Sequence, residues 1–135
     1  MKYYRKIKKV KFLNLACHDI ERNKLLKTIS RVLKHGRLVM GPEIISFEKK
    51  IALLCKRKYV ISVGSGTDAL FLAIKALNYK RGDEIITTPL SWIATANAIS
   101  MNGLVPVFAD INYDLNINYR SVESLITKKT KAVVV

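Results

Sequence analysis

Cysteine is nearly missing from this chain: Cys17 and Cys55 are two isolated thiols without metal-type spacing. They make no disulfide framework and fit a reduced, cytoplasmic setting. No apolar run is long enough to span a bilayer, which argues against an integral membrane protein. The segment Met1 to Lys11 is basic but lacks the apolar centre of a signal peptide. No internal repeat, low-complexity linker or second-domain boundary interrupts the pattern. Acidic residues are also scarce: ten Asp and Glu stand against 24 Lys and Arg, a formal net charge of +14 over 135 residues. Such an excess can bind nucleic acid or another anionic surface by counterion release. It is ordinarily a set of lysines on solvated faces, or a chain whose acidic remainder lies elsewhere. Only Lys2 to Lys11 is dense, with Tyr3 and Tyr4 interleaved that could stack on bases. A basic nucleic-acid-binding module is therefore kept as a minor reading.

What is present suits a compact domain, since half the residues are hydrophobic. Asp19 can cap a helix reaching about His35, with Ile20, Leu25, Leu26, Ile29, Val32 and Leu33 as its stripe, ended by Gly36. Pro42 opens a second helix over about 43–55, expected to bury Ile44, Phe47, Ile51 and Leu54. Short apolar runs at 59–63, 85–88, 105–109 and 132–135 then alternate with helical segments near 67–78, 92–102 and 119–127. That alternation predicts an α/β fold with right-handed crossovers and a largely parallel sheet covered on both faces.

The most informative stretch runs from Tyr59 to Ala69. A Val/Ile-rich strand, the glycine turn Gly64-Ser65-Gly66 and a helix opening at Thr67-Asp68-Ala69 make an anion site. Unpaired helix amides and the macrodipole favour negative charge there, and the Thr67 hydroxyl can add a donor. The turn formally fits the dinucleotide fingerprint G-x-G-x-x-A. A ribose-binding acid is lacking, however, because Asp83 and Glu84 precede the next strand instead of ending it. A Walker A loop is excluded for want of Gly-Lys-Ser/Thr. Trp92 follows the second strand's carboxyl end, where it either backs a flat heteroaromatic ring or is buried as a helix-start core residue. A nucleotide- or dinucleotide-binding α/β domain stays open as a rival.

These residues resemble a known family. Gly41-Pro42-Glu43 with Phe47-Glu48, Val63 to Leu70, Gly82-Asp83-Glu84-Ile85-Ile86, Pro89-Leu90-Ser91-Trp92, Ala94 to Ile99, Gly103 with Pro106 to Ile111, and Ile126-Thr127 with Thr130-Lys131-Ala132 are similar to the DegT/StrS-type aminotransferases. These act on nucleotide-linked keto-sugars with pyridoxal 5′-phosphate. The resemblance covers nearly everything from Gly36 to Val135. It implies a three-layer α/β fold, the fold-type I (aspartate aminotransferase-like) large domain with its cofactor at the carboxyl rim of the sheet. On this view residues 1–18 are a basic N-terminal segment and 19–135 the N-terminal part of that domain.

The resemblance also implies that Gly66, Thr67 and the amide of Asp68 hold the cofactor phosphate and that Trp92 stacks on the pyridine ring. Asp110 reads as a turn residue rather than a ligand. The donor is expected to be an amino acid, usually glutamate, and the products to feed cell-surface polysaccharide, including lipopolysaccharide, or other amino sugars. The complete protein is expected to be a homodimer. The family's Schiff-base lysine and the aspartate that pairs with the pyridine nitrogen fall past Val135, and no lysine here replaces the first. The chain by itself is thus expected to be a truncated form unable to transaminate.

Overall fold

The computed structural model describes residues 12–13 and 15–135. It divides into two compact units, Met1–Val60 and Ile61–Val135.

Among the described residues, the first unit holds two helices. In α1 (Asp19–His35) the N-cap is His18 rather than Asp19, and no side chain caps it. Asp19 and Glu21 lie in the first turn and Lys34 and His35 in the last, each sign at the end of the macrodipole that favours it. Gly36 takes φ +68° and its amide closes on Val32 O at 3.0 Å. Such a left-handed stop suits glycine. After Gly41, α2 (Pro42–Leu54) opens with proline in its first turn. Neither helix buries a residue fully, which corrects the burial expected of Ile44, Phe47, Ile51 and Leu54 in α2. Phe47 is 55% exposed and Leu54 78%. Two helices are too few to enclose two apolar faces.

The second unit is an α/β layer structure: α3 (Gly66–Ala76), β1 (Glu84–Thr87), α4 (Ala94–Met101), β2 (Val105–Phe108), α5 (Tyr119–Ser124) and β3 (Thr130–Val133). The sheet has three parallel strands in the order β2-β1-β3. Ile85 pairs with Pro106 on one side and Ala132 on the other. The last strand thus starts two residues earlier than the apolar run alone predicts, because Thr130 already pairs with Glu84.

Residues 59–63 form no strand, a correction to the expected first strand. Tyr59 and Ile61 are largely exposed. A strand exists through its ladder, and among the described residues the sheet consists of the other three only.

Ile85 and Ile86 point to opposite sides of the pleat, and both are completely buried. The central strand is therefore covered on each face, as parallel strands require. Ile74 of α3, Ala98 and Ile99 of α4, Ile85 and Leu104 form the core cluster. Each such isoleucine contributes about 1.5–3 kcal/mol by leaving water. From β1 the chain crosses through α4 to β2, then returns through α5 past β1 to β3. Right-handed crossovers in opposite directions place α4 and α5 on opposite faces. The sheet accordingly has a switch point between the carboxyl ends of β1 and β2, where ligands bind in open α/β sheets.

Candidate functional site

The end of the sheet reached by each helix decides what can meet there. The carboxyl-terminal half of α3 shares a hollow with Met101, Asn102 and Leu104, which lead into the amino end of β2. Tyr79, just past α3, donates from its hydroxyl to Lys131 O in β3 at 3.2 Å. Both α3 and α4 thus end at the amino edge of the sheet, and both begin at the carboxyl edge. The glycine turn and Trp92 share the rim that carries the switch point.

The turn itself is organised by Ser65. As N-cap of α3 it accepts from the Asp68 amide at 3.1 Å, and its hydroxyl donates to Asp68 Oδ2 at 2.9 Å. The Ala69 amide closes on the Ser65 carbonyl at 3.0 Å. The amide of Asp68 is therefore engaged within the turn. Helix geometry leaves the amides of Gly66 and Thr67 without an intrahelical acceptor, directed at the rim. A Cβ built on Gly66 meets nothing within 4 Å, so the approach to the first turn is open. At Gly64 the same atom would lie 3.1 Å from Asp68 Oδ2. Ser65 closes the first turn of α3, a part that the glycine pattern alone does not reveal. Its signal is the Ser-x-x-Asp spacing of a capping pattern.

Trp92 is 79% exposed. Its side chain stands in solvent in this chain. Thr88 Oγ1 accepts the Leu90 amide at 3.2 Å, and the Trp92 carbonyl accepts the Thr95 amide at 3.2 Å. The loop that offers the indole is tied at both ends.

The neighbouring loop belongs to Asp110. Its Oδ1 accepts the Ile111 amide at 2.8 Å, its own amide donates to Ser121 Oγ at 2.9 Å, and its carbonyl accepts the Asn118 amide at 2.8 Å. All of this is turn construction. In the same loop, a hydrogen bond from Asn116 holds the Asp114 carboxyl below the usual carboxylate range.

At the amino edge, Asp83 Oδ2 accepts the Lys80 amide at 2.8 Å and Glu84 Oε2 accepts from Thr127 Oγ1 at 2.6 Å. Both acids are engaged there, away from any ribose at the rim. The lysines nearest in sequence to the rim elements are placed elsewhere. Lys75 sits inside α3 over the Phe71 ring, and Lys131 Nζ donates to Lys128 O beside the start of β3. Among the described residues no group of three His, Cys, Asp or Glu is placed to hold a metal, and no helix is long and apolar enough to cross a membrane. Cys17 and Cys55 are exposed and free. The basic run Lys2 to Lys11 lies outside the described residues.

Comparison with known proteins resolves the class. The model of the DegT/DnrJ/EryC1/StrS aminotransferase family matches residues 19–135. The chain belongs to this family. It is 44% identical over 110 residues to the spore coat polysaccharide biosynthesis protein SpsC of Bacillus subtilis, covering 81% of this chain and 28% of that one. It is 38% identical over 127 residues to the UDP-2-acetamido-2-deoxy-3-oxo-D-glucuronate aminotransferase of Pseudomonas aeruginosa, covering 93% and 35%. Among solved structures, NtdA from Bacillus subtilis with bound cofactor PMP superposes with a TM-score of 0.88 at 36% identity, covering 96% of this chain and 31% of that one. The fold is that of this family's aminotransferases, of which the chain spans about a third of the length.

Proposed function

We propose that this chain supplies the phosphate turn and the ring platform of a pyridoxal 5′-phosphate-dependent aminotransferase acting on nucleotide-linked keto-sugars. The observation that carries the reading is the placement of the Gly64–Asp68 turn and the exposed Trp92 on one rim of the sheet. The relatives' activities and the cofactor bound in NtdA support it.

The residues present fit such a group. The open mouth at Gly66 admits a phosphate, the amides of Gly66 and Thr67 and the Thr67 hydroxyl donate to it, and the α3 dipole favours its charge. Ser65 fixes Asp68 so that these donors are already aligned. Trp92 would cover one face of the ring and keep water from it. When bound, the cofactor would supply the chemistry of amino-group transfer between a donor amino acid, with glutamate as the proposed donor, and the sugar carbonyl. The amine that moves the proton is proposed to come from residues outside this stretch. Residues 1–18 are proposed as a basic leading segment and 19–135 as part of the cofactor-binding domain. The complete protein is proposed to work as a cytoplasmic homodimer in polysaccharide or amino-sugar synthesis, lipopolysaccharide included.

Trp92 is the single tryptophan of the chain, so its emission reports this rim alone. Pyridoxamine 5′-phosphate carries the ring and phosphate but no aldehyde to condense with lysines. Titration with it is expected to quench the indole, and inorganic phosphate is expected to shift the midpoint upward. Absence of quenching, or quenching indifferent to phosphate, rejects the reading. Equal quenching by a nicotinamide dinucleotide would favour the rival domain.

A further inference from the structure

We infer that Asn102 is a positioning residue for the candidate site, setting the distance between the phosphate turn and the indole; the inference rests on the reading of the rim as a cofactor site. The turn begins α3 and Trp92 stands two residues before α4, next to its N-cap Ile93, so the gap between them is set by the register of one helix against the other. The contact between the helices is largely apolar, through Ile74, Ala98 and Ile99. Apolar burial has no direction and does not by itself fix a register. Asn102 supplies direction. Its Nδ2 donates to Phe71 O in α3 at 3.1 Å and to Ala98 O in α4 at 2.8 Å.

Both partners are carbonyl oxygens, which can only accept. The amide must therefore present its NH2 group, and both of its hydrogens are used. The tie is half-buried and joins positions 31 apart in sequence. Asn102 also terminates α4, its own amide closing on Ile99 O at 3.1 Å. From Phe71 back to Gly66 the rise is about 7.5 Å, and from Asn102 back to Ala94 about 12 Å. Over such short lengths a helix moves as a rod, so a slip at Asn102 arrives at both helix starts nearly undiminished. Binding groups tolerate displacements of only about 0.5 Å before the match is lost. The residue touches neither the phosphate turn nor the indole and acts through the two helices.

The test uses the 135-residue chain, pyridoxamine 5′-phosphate and the Trp92 emission. Asn102→Leu keeps the shape and removes both bonds; Asn102→Asp sets a carboxylate against two carbonyl oxygens. Each is expected to weaken binding about tenfold, the effect of losing two ordinary hydrogen bonds from the register, and to lower the quenching at saturation. Asn102→Gln keeps the NH2 group, and the adjoining hollow of about 230 Å³ has room for the added methylene. It is expected to recover most of the affinity. A purely structural role would lower the melting temperature of the first two variants while leaving their affinity unchanged well below the transition, and that result overturns the inference. If Asn102→Leu does not fold, Asn102→Asp against Asn102→Gln decides in the same way. A wild-type indole that is never quenched removes the site and, with it, anything for Asn102 to position; a quenched wild type with equal variants overturns the positioning role alone.

Discussion

The Ser65 hydroxyl and the Asp68 side chain hold each other at 2.9 Å, while the same hydroxyl accepts the Asp68 amide at 3.1 Å. The first turn of α3 is thereby closed before any ligand arrives, leaving Gly66 and Thr67 as its outward donors. Ser65→Ala removes both bonds. It is expected to destabilise the helix start by about 1 kcal/mol, the usual loss of an N-cap. Faster hydrogen exchange at Asp68 and weaker binding of pyridoxamine 5′-phosphate should accompany the loss. Unchanged exchange at Asp68 would show that the cap does not order the turn.

The parts of this fold that could be read in advance are those set by local chemistry. Gly36 and Pro42 stop and start helices because one reaches φ +68° and the other lacks an amide to waste. The strand–helix alternation from Glu84 onward follows from apolar runs whose neighbours in the sheet are in the chain. Residues 59–63 have the same composition but no ladder, which no run of valine and isoleucine can supply by itself. The stripes of α1 and α2 are legible as stripes; what would cover them is not encoded in their own periodicity. At the rim, the glycine turn and Trp92 are legible individually. That Ser65 closes the turn and Asn102 ties the two helices depends on tertiary geometry that spacing does not reveal.

Two glycines of the first unit should respond differently to alanine. At Gly41 an added Cβ would stand 2.7 Å from the Arg37 carbonyl oxygen, a backbone atom that cannot swing aside. Gly41→Ala is expected to cost about 1–3 kcal/mol, as forced overpacking does. At Gly36 nothing lies within 4 Å, so only the left-handed φ of +68° is strained, at about 1 kcal/mol. Thermal unfolding of the two variants should rank Gly41→Ala as the less stable; the reverse order would contradict the contact at Arg37.

Acid should loosen the junction of α1 and α2. The Glu43 carboxyl lies below its ordinary value, first through a hydrogen bond with its own backbone, then through His35 and the charge of Arg31. His35 Nε2 stands 3.3 Å and Arg31 Nε 3.8 Å from Glu43 Oε1. A carboxyl depressed by folding stabilises the folded form above the ordinary glutamate range and loses that contribution as pH falls through its folded value. Stability measured by denaturant from neutral pH downward should therefore decline in that window, and less so in Glu43→Gln. An identical decline in the variant would assign the acid sensitivity to other carboxyls.

The amino edge offers the complementary control. Thr127 Oγ1 donates to Glu84 Oε2 at 2.6 Å and accepts the Lys129 amide at 3.0 Å, so one hydroxyl joins the turn before β3 to the first residue of β1. Thr127→Val keeps the branched shape and removes both bonds, and since Thr127 is solvent-exposed the expected loss is only about 1 kcal/mol. Ile85→Ala, at a completely buried position of the same strand, should cost about 2–5 kcal/mol. Both changes lie away from the carboxyl rim, Thr127 at the far end of the sheet. Below its melting transition the Thr127→Val chain should bind pyridoxamine 5′-phosphate as the wild type does, whereas Ser65→Ala should not. If Thr127→Val weakened binding as much as Ser65→Ala, the amino edge would be coupled to the rim, and the division of the sheet into a bracing end and a binding end would be wrong.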